Sequence, residues 1–133
     1  RASLTEVELA DTFLNLGIVH DNLGQHKIAA SYLAESLHIR NRVDRALGEN
    51  YVSEHTFGFR FWHYRNLFFL GHINMARKGL QKLANTTRRN RMLRAAHAAM
   101  CLGDISVAIR ERPEEAVRWY NASFSILQDI GTA

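Results

Sequence analysis

Apolar positions near the start of the chain recur at helical spacing. Val7, Leu9, Ala10, Phe13, Leu14, Leu16 and Gly17 form one broad stripe. Ser3-Leu4-Thr5-Glu6 precedes them and reads as a capping box, in which a serine caps the helix start and a glutamate three residues on returns the bond. Gly24 is the first stop. Beyond it Ile28, Ala29, Tyr32, Leu33, Ser36, Leu37 and Ile39 make a second stripe, with Lys27, Glu35, His38 and Arg40 toward the opposite side. The connection around Gly24 is so short that the two helices must lie antiparallel, as a hairpin.

The middle of the chain is less regular. Residues 44–56 read as an irregular connection, and the aromatic-rich stretch after them as the entry to a third helix that runs to about Arg77 and stops near Gly79. Residues 80–93 then make a basic fourth helix and residues 94–110 a fifth. Pro113 suits the first turn of a sixth helix, with Glu114 and Glu115 at its positive end and Gly131 as its stop. The predicted class is all-α: one domain, 1–133, of about six helices in hairpins at 4–43, 57–93 and 94–130.

Self-comparison shows three Leu-Gly pairs, Leu16-Gly17, Leu70-Gly71 and Leu102-Gly103, each followed by a turn and an alanine: Ala29, Ala84 and Ala116. Small residues are needed where the helices of a hairpin approach closely, and larger apolar residues fill the space between hairpins. The pattern resembles the tetratricopeptide repeat. Leu16, Gly17, Gly24, Ala29, Leu33 and Ser36 stand where that family places its Leu-Gly pair, turn glycine, alanine, bulky residue and small residue. The wording is similar to the longer repeats of kinesin light chains, and to the helical arms of bacterial LuxR-type regulators and signal-transducing ATPases. The resemblance implies hairpins stacked as a short right-handed α-solenoid. The spacing departs from the family, since Gly17 and Gly71 lie much further apart than one standard repeat. In an alternative register Gly71 is the turn glycine and Ala76 the packing alanine.

In the family resembled, the first helix of each hairpin lines a concave face that holds the ligand. With Gly17, Gly71 and Gly103 taken as equivalent, that face consists of Asp11, Leu14, Asn15, Ile18 and Asn22 from the first copy. The second copy supplies Arg65, Phe68, His72 and Met75, and the third His97, Met100, Asp104 and Val107. Apolar anchors mixed with hydrogen-bonding groups suit a peptide or protein partner. The resemblance singles out Asn15, whose amide offers a donor and an acceptor to a peptide unit. Ile18 occupies one position of the chaperone-type carboxylate clamp, which argues against such a clamp here.

Other features change the picture less. The aromatic run Phe57, Phe59, Phe61, Trp62, Tyr64, Phe68 and Phe69 reads mainly as core, with Phe61 and Phe68 on a stripe that could stay available. Arg88, Arg89, Arg91 and Arg94, with Arg77, Lys78 and Lys82, could track phosphates, but read more simply as a solvated face. Seven histidines show neither HExxH nor a His-Cys cluster, so no metal is expected. No nucleophile elbow, phosphate loop or dinucleotide loop occurs, and Cys101 lies within an apolar helix, so neither catalytic residues nor a cofactor are expected. Hydrophobic residues at 47% and charged residues at 23% exclude a disordered chain, and the net charge of +4 permits acidic partners without requiring them. With one cysteine and no membrane-spanning run, the setting is expected to be cytoplasmic. The opening Arg1 reads as the start of a piece excised from a larger protein.

The expected function is therefore that of a scaffold binding a protein or peptide. The alternatives are a regulatory or dimerisation arm, pairing as a homodimer through the terminal hairpins, and nucleic-acid binding through 77–94.

Overall fold

The computed structural model describes residues 4–48, 54–85 and 92–132, and all of its regular structure there is helical. The helices are α1 (Leu4–Asn22), α2 (His26–Leu47), α3 (Glu54–Phe69), α4 (Ile73–Ala84), α5 (Met92–Ala108) and α6 (Pro113–Thr132). Ser3 of the expected capping box lies outside the described residues, as do Arg88, Arg89 and Arg91.

Three turns of one design join the helices of each pair. Gly24, at φ 80°, donates its N–H to the Asp21 carbonyl, and Gln25 donates to the His20 carbonyl. Gly71, at φ 92°, and His72 repeat this with Phe68 and Leu67. Arg110, at φ 57°, and Glu111 repeat it with Val107 and Ser106. This is the Schellman arrangement, in which a left-handed residue satisfies the last carbonyls of one helix. It also launches the next helix, since Gln25 and His72, the residues just before α2 and α4, cap them without a side-chain hydrogen bond.

These turns fix the register of the repeat and correct the sequence expectation. Gly71 is the counterpart of the turn glycine Gly24, not of Gly17, so the alternative register is the one adopted. The third helix ends at Phe69 rather than near Arg77, and Gly79 lies buried inside α4 rather than stopping a helix. The packing alanine of the second hairpin is Ala76, not Ala84. Residues 44–47 continue α2, because Asp44 is buried between Arg40, at 3.2 Å, and the Thr56 hydroxyl of α3.

With the turns aligned and one extra residue allowed before α6, Ala29, Ala76 and Ala116 coincide and are all buried, as are Leu33 and Leu80. Tyr120, their partner in α6, is more exposed. Close approach within each hairpin needs one missing side chain, supplied from alternate helices. Gly17 of α1 faces Leu33, Gly79 of α4 faces Tyr64, and Gly103 of α5 faces Tyr120.

Each helix packs on its neighbours in sequence. Beyond that, α1 meets α3 and α3 meets α5, whereas the first and last hairpins do not touch among the described residues. The two seams differ in chemistry. Between the first and second hairpins, Phe59 inserts against Ala10, Ile39 and Val43, flanked by the buried carboxylates Asp21 and Asp44. Between the second and third, Phe57, Phe61, Leu80 and Leu83 meet Ala98, Ala99, Leu102 and Ile105, and the charged contact across this seam is the half-exposed pair of Arg77 with Glu111, 3.3 Å apart. Burying a leucine such as Leu80 contributes about 1.5–3 kcal/mol.

Candidate functional site

The polar centre of the molecule lies where α3 crosses the end of α1. Asp21 sits in the last turn of α1, where the helix dipole disfavours a carboxylate, and its side chain is fully buried. Three partners offset that cost. His26 Nδ1 lies 2.6 Å from Oδ1, Asn66 Nδ2 donates to the same oxygen at 2.9 Å, and Arg65 Nη1 donates to Oδ2 at 3.1 Å. Asn66 also donates to the His26 carbonyl at 2.9 Å.

Arg65, held in this way, carries a layer of rings. Its guanidinium lies 5.2 Å from the Trp62 ring centroid and 4.8 Å from that of Phe69, one helical turn to either side. Phe69 in turn stacks on His26, with centroids 4.6 Å apart and planes 4° from parallel. Phe69 is exposed, and with Leu70, Gly24, Gln25, Lys27 and Ile28 it borders an open groove of about 480 Å³. A larger groove, about 620 Å³, runs along α3 and α4 over Tyr64, Leu67, Met75 and Gly79, with Lys78 and Lys82 at its side.

In the corrected register, Asp11, Asn15, Ile18 and Asn22 of α1 correspond to Gly58, Trp62, Arg65 and Phe69 of α3 and to His97, Cys101, Asp104 and Ala108 of α5. Asp11, Asn15 and Asn22 are exposed and Ile18 is half-buried. Asp104 is exposed and accepts a 2.6 Å hydrogen bond from the Tyr120 hydroxyl, which raises the Tyr120 pKa to about 12. His97 stands 6.3 Å from the Phe61 ring, and burial, with the Arg94 charge adding to it, lowers its pKa.

The remaining expected positions fall elsewhere. Leu14 and Phe68 pack against the two core clusters, so they fill the seams rather than a ligand face. Met100, the counterpart of Leu14, is exposed with Val107 on the outer side of the last hairpin. His72 belongs to the second turn and Met75 to the larger groove, because the register that placed them on the face was wrong.

Asp21, His26 and Asn66 were missed in the sequence because their association spans three helices. Trp62 and Phe69 were legible as neighbours of Arg65, one turn before and one after. Cys101 is buried, and burial pushes its thiol up to about 11, with the Arg65 charge opposing, so it is a poor nucleophile at neutral pH. Among the described residues no cluster of three or more His, Cys, Asp or Glu could hold a metal ion, and no helix is long and apolar enough to cross a membrane.

Set beside known proteins, the chain matches no family model, no curated protein and no solved structure.

Proposed function

We propose that the chain is a tetratricopeptide-like solenoid module, without a catalytic role of its own, that holds a peptide or protein segment across the face shared by α1, α3 and α5. The observation that carries this is the layer Trp62–Arg65–Phe69, pinned from beneath by Asp21. Tryptophan and arginine are the residues most enriched where binding energy concentrates, and a held guanidinium loses little freedom on binding. Asn15 and Asn22 on one side, and Asp104 on the other, add exposed hydrogen-bonding groups. A cytoplasmic setting goes with this function, and the buried, unpaired thiol of Cys101 suits it.

A peptide-display screen on the chain tests this. Selected peptides are expected to lose about tenfold or more in affinity with Phe69→Ala or Asn15→Ala while thermal unfolding stays near that of the parent. Undiminished binding by the double variant would overturn the assignment.

Self-association as a regulatory arm is the second function with support, because exposed apolar residues line both ends of the helical array. Nucleic-acid binding by 77–94 has less behind it. Arg77 is paired with Glu111 at 3.3 Å, which leaves Lys78, Lys82 and Arg94 as the exposed cations among the described residues of that segment.

A further inference from the structure

The repeat identifies two apolar faces by what covers their counterparts. In α5 and the first residue after it, the positions that seat the third hairpin on the second are Ala95, Ala98, Leu102, Ile105 and Ile109, all buried or packed against the core. In α3 the same positions hold Thr56, Phe59, His63, Asn66 and Leu70. Of these, Phe59 enters the core of the first hairpin, while Thr56 and Asn66 bond to Asp44 and Asp21. In α1 they hold Leu9, Thr12, Leu16, Val19 and Leu23, every one of them exposed.

The opposite end has the complementary feature. In the second hairpin Phe61, Phe68, Leu80 and Ala84 form or flank the apolar cluster that receives α5. Their counterparts in the third hairpin are Met100, Val107, Tyr120 and Phe124, again all exposed. Leu127 extends that stripe along α6. One end of the molecule thus carries the inserting half of the hairpin-to-hairpin contact, and the other end the receiving half.

We propose that a second copy of this chain docks head to tail, its α1 stripe seated on the α5–α6 stripe of the first, continuing the contact already made twice within the chain. This specifies the self-association function named above and is independent of the α1, α3 and α5 face. The contact joins two different surfaces, so assembly does not stop at two copies, and copies add head to tail into a row or a closed ring.

Light scattering after size exclusion on the full chain tests it, with Val19→Asp at one end and Phe124→Asp at the other. Both positions are exposed, so helix content and melting should match the parent. Leu23→Asp and Leu127→Asp form a second pair should either variant be poorly folded. The parent mass is expected to rise with concentration beyond that of a dimer. Each variant alone should associate at least tens of times more weakly. The mixture of the two should recover one-to-one pairs, because each supplies the face the other lacks. A parent that stays monomeric overturns the proposal. So does a mixture that fails to pair, or self-association abolished by Phe124→Asp but untouched by Val19→Asp, which would indicate tail-to-tail pairing. Asn15, Arg65 and Phe69 are unchanged throughout, so the outcome is separate from that of the peptide screen.

Discussion

The ring of Tyr64 lies across Gly79 so closely that a Cβ on the glycine would fall 2.4 Å from three of its ring atoms. Gly17 meets Leu33 in the same way, its virtual Cβ 2.5 Å from Cδ2. Helix propensity favours alanine over glycine by about 1 kcal/mol, while overpacking a tight site costs about 1–3 kcal/mol. Which wins depends on whether the neighbour can move. Leu33 is fully buried and has nowhere to go, so Gly17→Ala is expected to destabilise by about 2 kcal/mol. The Tyr120 ring over Gly103 is partly exposed and can swing aside, so Gly103→Ala should cost clearly less. Urea unfolding midpoints of the two variants check the order, and a reversed order would contradict the packing described.

Asp21 gathers groups from α2 and α3 around one fully buried carboxylate. Asp21→Ala leaves Arg65, His26 and Asn66 without their shared acceptor. A loss of about 3 kcal/mol is expected, the range for breaking a buried pair from one side. Loosening of Arg65 should accompany it, read as weaker binding of any peptide selected on the parent chain. Unchanged stability would show that the carboxylate does not anchor α2 and α3.

His63 and His97 both have their pKa lowered from 6.5 by burial. The unfolded chain therefore takes up these protons first as pH falls. The stability associated with the neutral rings is fully present above 6.5 and declines as pH drops below it toward the folded values. Denaturant titrations on the two sides of 6.5 should show this, and His63→Gln with His97→Gln should flatten the dependence.

The helical class and the first and third hairpins were legible in the sequence because each carries its turn signal and its small residue on a familiar pattern. The second hairpin was not, for a physical reason. Its close-approach glycine is Gly79 in the second helix, whereas Gly17 and Gly103 lie in the first helix of their pairs. A pattern search that looks for glycine in the first helix finds Gly71 instead, which serves the turn. The site was legible only as far as one helix could show it. Arg65 and Asn15 both stand among the positions expected on the face, but through a register that pairs Arg65 with Asp11, and the carboxylate beneath Arg65 belongs to a different helix, which no local pattern reports.

The two seams between hairpins also respond to temperature by different rules. The junction of α4 with α5 relies on apolar burial, which weakens on cooling, while the junction of α2 with α3 adds buried hydrogen bonds that do not depend on the hydrophobic effect. Since the end hairpins share no contact among the described residues, their coupling there runs through α3 and α4. Cooling is therefore expected to loosen the seat of the last hairpin more than the junction of the first two, so that the helices part in blocks rather than all at once.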